Sequence, residues 1–418
     1  MSSTVWQPMT RQAFQAMDDI DALARKRGEF SLPGGVIYLD GNSLGALPNS
    51  TAARVHDLVT RQWGVDLIRS WNTHDWFAAA GRIGDKIAPL IGAGPGEVIV
   101  ADSTSVNLFK LVCGALSLRP ERRTILTEPG NFPTDLYILR GIEAWLGDRV
   151  SVRTVERADL PGAIDGDTAA MVLTHVHYKT AERWPMAEIT ALAHRRGAVA
   201  VWDLSHSVGA LAIDLNAAGA DLALGCGYKY LNGGPGAPSF AFVAQRWQAQ
   251  LASPLSGWMG HADPFAFVDD YTPAPGIRRQ LCGTPGMLGL TALEAGVDLF
   301  ADLDMAAVEA KGMALGDAFI ALVRARLGSS GLELASPPEA AVRGSHISLR
   351  HAHGYEIMQA LIARGVIGDF RAPDILRFGM TPLYLRFTDI WDAVEILKSV
   401  IESGEYLEPR FAVRAAVT

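Results

Sequence analysis

The sequence predicts an α/β protein: a large domain with a mostly parallel seven-stranded sheet covered by helices, and a smaller α+β domain built from both termini. From about residue 98, short β-rich segments alternate with segments such as 187–196, whose apolar residues recur every three or four positions. Several β-rich segments are almost continuously apolar, which is typical of strands covered by helices on both faces.

Seven segments of the central region have the composition and length of strands. Each is rich in β-branched or aliphatic residues and is bounded by polar or glycine-containing sequence. The seven segments are 98–102, 124–128, 151–156, 170–176, 198–204, 222–227 and 239–244.

The two ends of the chain differ from its centre. Residues 1–60 are mostly helical in pattern, with one strand at 36–40, and a long helical stretch after residue 290 gives way to a mixture of strands and helices. We therefore expect a large domain over 61–290, with 1–60 and 291–418 forming the smaller domain.

Composition excludes several classes of function. The 45 acidic residues outnumber the 37 basic ones, giving a net charge of −8, and no basic block predicts binding to nucleic acid or to a membrane surface. Cys113, Cys226 and Cys282 are too few and too far apart for a disulfide framework or a metal knuckle. With no signal-peptide pattern and no run of about 18 apolar residues, the sequence predicts a cytoplasmic protein that binds no metal.

The segment LGCGYKYLNGGPG (224–236) surrounds Lys229, one of only seven lysines in the chain. A lysine between an apolar strand and a glycine-rich turn can be partly desolvated, which makes its amine a nucleophile suited to a Schiff base. The alternative is a lysine at a strand end whose amine simply reaches water.

Asp203 follows an apolar strand, at the edge of the sheet where α/β proteins bind ligands. A carboxylate there can hold the protonated pyridine nitrogen of pyridoxal phosphate (PLP), although an aspartate that caps a helix would have the same position in sequence. His206 follows three residues later, but one Asp–His pair does not complete a metal site.

Two further segments follow strands. Residues 103–107 (STSVN) open a helical run, where hydroxyls and free amides can bind a phosphate, or where they can simply cap the helix. In 131–135 (NFPTD), Phe132 could stack on a flat cofactor or pack in the core.

The segment GNSLG (41–45) matches G-x-S-x-G, the nucleophile elbow of serine hydrolases. That fold requires most of its sheet before the elbow, yet only about 40 residues precede Ser43, and Pro48 delays the next helix. A serine hydrolase that uses Ser43 is therefore the less favoured alternative, from another class of enzyme.

Together, eight segments resemble the kynureninase family, within the aspartate-aminotransferase-like group of PLP enzymes. They occur in the family's order and span residues 38–384. The segments are YLDGNSLG (38–45), STSVN (103–107), NFPTD (131–135), VWDLSHSVG (201–209), YKYLNGGPG (228–236), GWMGH (257–261), CGTPGML (282–288) and ILRFGMTPLY (375–384).

The resemblance implies hydrolysis of L-kynurenine to anthranilate and L-alanine, with PLP bound to Lys229 in the large domain and paired with Asp203. It also implies a homodimer with shared active sites, because Trp258 and Thr284 would reach the cofactor of a second subunit. The expected catalytic residues are Lys229, Tyr228 and Asp203; the cofactor-binding residues are these three with Thr104, Ser105, Phe132, Asp135, Thr174, His206, Trp258 and Thr284; the substrate-binding residues are Arg377, Ser43 and Trp71.

Two departures from the family's pattern bear on these expectations. Thr104 stands where some relatives have Leu, and Thr284 stands where the vertebrate enzymes have Asn, so preference for a ring-hydroxylated substrate is not carried over. A cysteine desulfurase-like lyase of the same fold would need a mobile, exposed thiolate, and only Cys282 lies in a predicted loop. A protein that binds PLP without catalysis would be expected to have lost Arg377 or Tyr228.

Overall fold

The computed structural model describes residues 9–414. Its α-helices are α1 (Arg11–Asp19), α2 (Asn49–Asp57), α3 (Ser70–Thr73), α4 (Ala79–Ile87), α5 (Thr104–Ser117), α6 (Pro133–Leu146), α7 (Leu160–Ala163), α8 (Met186–Arg195), α9 (Gln245–Gln248), α10 (Met287–Val297), α11 (Met305–Leu327), α12 (Gly354–Ala363) and α13 (Phe387–Ser403). A π-helix, Leu58–Asp66, extends α2. Short 3₁₀ helices lie at Ala24–Glu29, Leu67–Arg69, Ala88–Ile91, Gly147–Arg149, Trp258–Gly260, Gly276–Gln280, Asp298–Phe300, Ala340–Val342, Glu405–Leu407 and Pro409–Ala412.

The strands belong to three sheets. They are β1 (Ile37–Tyr38), β2 (Val98–Val100), β3 (Thr124–Thr127), β4 (Ser151–Thr154), β5 (Thr168–Thr174), β6 (Val199–Asp203), β7 (Leu222–Gly225), β8 (Phe240–Val243), β9 (Glu333–Leu334), β10 (His346–Arg350), β11 (Val366–Ile367), β12 (Asp369–Arg371) and β13 (Ile375–Gly379).

The large sheet has seven strands in the order β2-β8-β7-β6-β5-β3-β4. Strand β8 runs antiparallel to both of its neighbours, and the remaining pairs are parallel. Every residue of β2, β3, β5, β6, β7 and β8 is buried, whereas the edge strand β4 has a single buried residue, Val152. The predicted α/β class and mostly parallel seven-stranded sheet are confirmed.

The seven strands of the large sheet each end one or two residues earlier than predicted, at their carboxyl ends. Strand β2 stops at Val100 because Asp102 has φ +53, a left-handed conformation that turns the chain into α5. Strand β5 likewise ends at Thr174, not at residue 176. The polar residues released from the sheet in this way lie at the edge where parallel strands gather ligand-binding groups.

The two ends of the chain contact each other away from this sheet. Strand β1 pairs in parallel with β11, and the antiparallel sheet β12-β13-β10-β9 lies nearby in sequence. Asp18, in α1, accepts a hydrogen bond of 2.6 Å from the amide of Phe387, at the start of α13. These contacts join both termini in the way the sequence suggests, while the domain boundaries at residues 60 and 290 stay a prediction.

Among residues 9–414, no helix is both long and apolar enough to cross a membrane. The same part of the chain holds no cluster of three His, Cys, Asp or Glu side chains arranged to bind a metal ion. Cys113, Cys226 and Cys282 are all free thiols.

Candidate active site

A cavity of about 560 Å³ lies at the carboxyl ends of β5, β6 and β7. It is bounded by the loop after β2, the loop before α6 and the segment leading to α10. Of the eleven cofactor-binding residues expected from sequence, all except Trp258 line it: Thr104, Ser105, Phe132, Asp135, Thr174, Asp203, His206, Tyr228, Lys229 and Thr284. Residues that are up to 180 positions apart in the chain are thus brought to one cavity.

Lys229 is 8% exposed, and its amine lies among aromatic groups. Its Nζ is 5.6 Å from the ring centre of Phe132 and 5.8 Å from that of Tyr228. It donates a hydrogen bond of 2.9 Å to Nε2 of His206. This surrounding is the partly desolvated one that a nucleophilic lysine requires.

His206 is neutral in this setting. Burial, and next the charge of Lys229, lower the pKa of His206 well below its usual value. Because Nε2 accepts from Lys229, the ring proton resides on Nδ1, which is buried and has no hydrogen-bond partner within the described residues. The cavity therefore contains a donor available to a bound ligand.

Two carboxyl groups lie side by side next to the lysine. Asp203 ends β6, is 3% exposed and accepts a hydrogen bond of 2.7 Å from the amide of Ser205. Asp135 is fully enclosed, and burial together with the charge of Asp203 raises its pKa well above the usual value. The hydroxyl of Thr174 lies 3.2 Å from Oδ2 of Asp135 and also contacts Asn131. Asp135 therefore holds its proton more tightly than an ordinary aspartic acid does.

The amino end of α5 opens into the same cavity. Ser103 caps this 14-residue helix by accepting a hydrogen bond from the amide of Val106, while Thr104 and Ser105 line the cavity. The capping and phosphate-binding interpretations of this segment are thus compatible, since different residues perform them. A helix amino terminus with adjacent hydroxyls favours an anion.

Tyr228 stays protonated at neutral pH. Burial raises the pKa of its phenol, and the nearby Cys226 raises it further. The Tyr228 hydroxyl is therefore a proton donor, the role expected of it from sequence.

Arg377 and Ser43 lie together next to the cavity, outside its lining. Arg377 is 1% exposed and donates from Nη2 to Oγ of Ser43 at 2.7 Å, and from Nη1 to the carbonyl oxygen of Tyr178 at 2.7 Å. The Tyr178 ring packs edge-on against Phe132, with ring centres 5.2 Å apart. One aromatic contact therefore separates the predicted carboxylate-binding arginine from the cavity.

Two expected site residues lie elsewhere in this chain. Trp71 does not line the cavity of its own chain. Its ring packs against Trp76, with centres 5.8 Å apart, in the segment that follows the π-helix, and its expected contact with the substrate stays a prediction. Trp258 packs against Phe265 and is 37% exposed. Its expected contact is with a second subunit, and that stays a prediction.

Sequence analysis did not single out Asp369 and Arg371, which contact Ser43 and Arg377. Asp369 Oδ2 accepts a hydrogen bond of 2.6 Å from Ser43, and Nη2 of Arg371 donates to the same oxygen at 2.7 Å. The available signal was the alternation of charged and apolar residues in 369–371, immediately before the ILRFGM segment. Alternate positions of a strand share one face.

The site fits PLP on observations independent of the sequence motifs. It offers a buried amine, the carboxyl group of Asp203, a helix amino terminus with two hydroxyls and an unpaired donor on His206. Its volume, about 560 Å³, is within the range of cavities that hold ligands of cofactor size.

The cysteines are unsuited to desulfurase chemistry. Burial raises the pKa of Cys113 to about 11, and it also raises the pKa of Cys226. The pKa of Cys282, at the cavity, is raised by burial despite the opposing charge of Lys110. A low-pKa thiolate of the kind that desulfurization needs is therefore disfavoured at all three positions.

Ser43 is not expected to act as a nucleophile. Its Oγ donates to Asp369 and accepts from Arg377, and within residues 9–414 no histidine is hydrogen-bonded to it. A fluorophosphonate probe should leave the protein unlabelled, because Asp369, which accepts from this hydroxyl, is itself held by Arg377 and Arg371. The GNSLG turn also precedes the sheet that carries the oxyanion hole in serine hydrolases. Stoichiometric labelling that disappears in a Ser43→Ala control would contradict this prediction.

Comparison with known proteins agrees with the geometry. Residues 308–397 match the family model described as Kynureninase C-terminal domain. Kynureninase from Burkholderia pseudomallei strain 1106a is 51% identical over 414 residues, which cover 98% of this chain and all of that protein. Kynureninase from Pseudomonas fluorescens is 50% identical with the same coverage.

Solved structures share the fold at low identity. A cysteine desulfurase from Thermococcus onnurineus NA1 superposes with a TM-score of 0.76 at 18% identity, covering 91% of this chain and 98% of that one. A C-DES mutant with glycine covalently linked to its PLP cofactor gives 0.76 at 16% identity, covering 89% and 98%. Identities this low indicate a common fold and leave the activity to be argued from the site.

Proposed function

This chain belongs to the kynureninase family, and from that premise we propose how its residues hydrolyse L-kynurenine to anthranilate and L-alanine with PLP as cofactor. The observation that carries the proposal is the position of the Lys229 amine. It lies in a cavity that Asp203 and the amino end of α5 also line, with Arg377 one aromatic contact away. In that arrangement the cofactor would be held by Lys229, Asp203 and α5, and the α-carboxylate of the substrate would lie towards Arg377.

The residues that would hold the cofactor follow from their chemistry. The carboxylate of Asp203 accepts a hydrogen bond from a protonated ring nitrogen, and Thr104, Ser105 and the amides of α5 receive the phosphate. Phe132 offers a flat apolar face, and His206 a donor from Nδ1. When bound, PLP withdraws electrons from the α-carbon of the substrate.

Lys229 and Tyr228 move the protons. The Lys229 amine removes the α-proton of the substrate, and the neighbouring His206 is a poor competing base because its pKa is lowered well below the usual value. Water adds to the γ-ketone of L-kynurenine, and the Cβ–Cγ bond then breaks to give one anthranilate and one L-alanine. Tyr228, which keeps its proton at neutral pH, donates a proton to the β-carbon of the remaining three-carbon half and is reprotonated from the hydrate hydroxyl. Lys229 returns its proton to the α-carbon, and L-alanine is then released.

A direct assay tests this function. Purified holoenzyme given L-kynurenine should release anthranilate, followed by its fluorescence, and L-alanine in equal amounts. The same preparation given L-cysteine should release no sulfur. Turnover of L-cysteine without turnover of L-kynurenine would contradict the proposal and favour the desulfurase alternative.

Substrate preference should follow from Thr284. This residue lines the cavity with a short hydroxyl and a methyl group. A ring hydroxyl buried beside it without a partner would cost about 1–3 kcal/mol, or about ten- to hundredfold in kcat/KM. We therefore expect L-kynurenine to be preferred over 3-hydroxy-L-kynurenine.

The variant Thr284→Asn should narrow that preference, because its amide can donate to the ring hydroxyl. Steady-state kinetics with both substrates, on wild type and variant, measure the ratio. An equal or higher kcat/KM of the wild type for the hydroxylated substrate would show that Thr284 does not set the preference.

We also propose a homodimer located in the cytoplasm. Large apolar side chains are exposed near the cavity and in the π-helical segment, including Phe265 at 61%, Phe267 at 78% and Trp63 at 58%. A second subunit would cover such a surface, and three free thiols suit a reducing compartment. Light scattering of the purified protein should give twice the mass of the chain.

A further inference from the structure

Two arginines share one aspartate beside the active site. Strand β12 pairs antiparallel with β13, which places Asp369 directly opposite Arg377. Nε of Arg377 donates to Oδ1 of Asp369 at 2.8 Å, and Nη2 of Arg377 contacts Oδ2. Arg371, two residues along β12, donates from Nη2 to that same Oδ2 at 2.7 Å. Asp369 is therefore shared between two guanidinium groups.

Arg377 has few hydrogens left for a substrate. Of its five N–H groups, two bind Asp369, one binds Ser43 and one binds the carbonyl of Tyr178. It is also 1% exposed. One N–H remains, which is too few for the paired hydrogen bonds that a guanidinium usually makes to a carboxylate.

Arg371 has the donors that Arg377 lacks. Its Nε is buried without a hydrogen-bond partner, and its Nη1 has none within residues 9–414. Its side chain is 35% exposed, so a ligand can approach it. Both arginines contact the Ser43 hydroxyl, at 2.7 Å from Arg377 and 3.3 Å from Arg371, so the two guanidinium groups lie around one oxygen atom.

The net charge of the cluster formed by Arg371, Arg377, Asp369 and Asp40 also favours the binding of one anion. Burial opposes ionisation of Asp369, but Arg377 and Arg371 outweigh it and lower its pKa. Burial, and next the charge of Asp369, raise the pKa of Asp40 to about 8, so Asp40 keeps its proton at neutral pH. Two guanidinium charges against one carboxylate leave a net charge of +1, which one further carboxylate would neutralise.

We propose that Arg371 binds the α-carboxylate of the substrate together with Arg377. Arg377, held by Asp369, supplies a fixed charge and one hydrogen bond, and Arg371 supplies the unpaired donors. This inference rests on the proposed function, since it requires an amino-acid substrate whose α-carboxylate lies at Arg377. Arg371 would act in substrate binding and not in catalysis, because the α-carboxylate that it contacts does not change during the reaction.

The variants Arg371→Gln and Arg371→Lys test the inference, with Arg350→Gln as the matched control. Arg350 is on the same sheet, is half exposed and pairs with Asp374 instead. Loss of a charged hydrogen-bond partner should raise KM for L-kynurenine about ten- to hundredfold with little change in kcat. The inhibition constant of L-alanine, which keeps the α-carboxylate, should rise by the same factor, and that of anthranilate should stay unchanged.

A wild-type KM and L-alanine inhibition constant in Arg371→Gln would overturn the inference while leaving the proposed function in place. So would a change in Arg350→Gln as large as that in Arg371→Gln. A wild-type enzyme that does not turn over L-kynurenine would overturn the proposed function and this inference with it. If Arg371→Gln does not fold or does not retain the cofactor, Arg371→Lys decides, because lysine keeps the charge but lacks the paired donors of the guanidinium group. An unchanged inhibition constant for L-alanine in that variant overturns the inference, and a higher one supports it.

Discussion

Replacement of Lys229 by alanine is expected to lower kcat/KM for L-kynurenine by about 10⁴-fold or more and to abolish covalent attachment of PLP. The amine is buried in the cavity, and in the proposed mechanism it is both the nucleophile and the base that removes the α-proton, so the variant would lose both roles together. Stopped-flow and steady-state assays of anthranilate release measure the loss of kcat/KM. Lys398→Ala, which removes a surface lysine paired with Glu402, is the control.

The site of attachment is checked separately. Borohydride reduction of the wild-type holoenzyme, followed by peptide mapping, should place the pyridoxyl group on the peptide that contains Lys229. A label on Lys179 or Lys110 would contradict the assignment. Lys110 is an unfavourable site because its amine is fully buried between Asp102 and the carbonyl of Gln280.

The variant Asp203→Asn is expected to lose about two to four orders of magnitude in kcat while still binding PLP. The amide has the size of the carboxylate, but it cannot stabilise a positive charge in a buried site, where removing the charged partner costs about 3–5 kcal/mol. Retained cofactor absorbance with slow turnover is the expected result. Near-normal turnover would show that the cofactor ring does not lie against Asp203.

Asp221→Asn provides a matched control for the loss of a buried carboxylate. Asp221 is buried like Asp203, but it lies at the amino end of β7, away from the cavity, and pairs with His194 and Arg246. This variant should melt at a lower temperature while keeping the kcat of the folded fraction. A similar loss of kcat in both variants would mean that Asp203 acts through stability alone.

Local sequence was sufficient for the groups that sit within single strand–loop segments. Asp203 and His206 follow one apolar strand, and Tyr228 and Lys229 follow the next, so the parallel arrangement of those strands already predicts that they meet. The same holds for Thr104 and Ser105 at the start of α5. These residues are positioned by the backbone of the element that carries them.

Contacts between distant elements were not predictable in this way. Ser43 and Asp369 are 326 residues apart and meet through a single hydrogen bond. The sequence resemblance named Ser43 and Arg377, but nothing in it indicated that Asp369 occupies two of the five donors of Arg377 or that Arg371 has an unpaired one. The packing of Trp71 on Trp76 was likewise not indicated by the sequence, and its expected contact with the substrate stays a prediction.

The sequence by itself determined the fold class, the seven strands of the large sheet, the PLP lysine motif and the family, because periodicity and short motifs are local properties of the chain. Only the tertiary structure decided which groups carry charge. His206 is neutral and Asp135 holds a proton because packing removes water from both and places Lys229 and Asp203 beside them. Desolvation and charge proximity depend on all the elements that surround a group, and no single segment of sequence contains them.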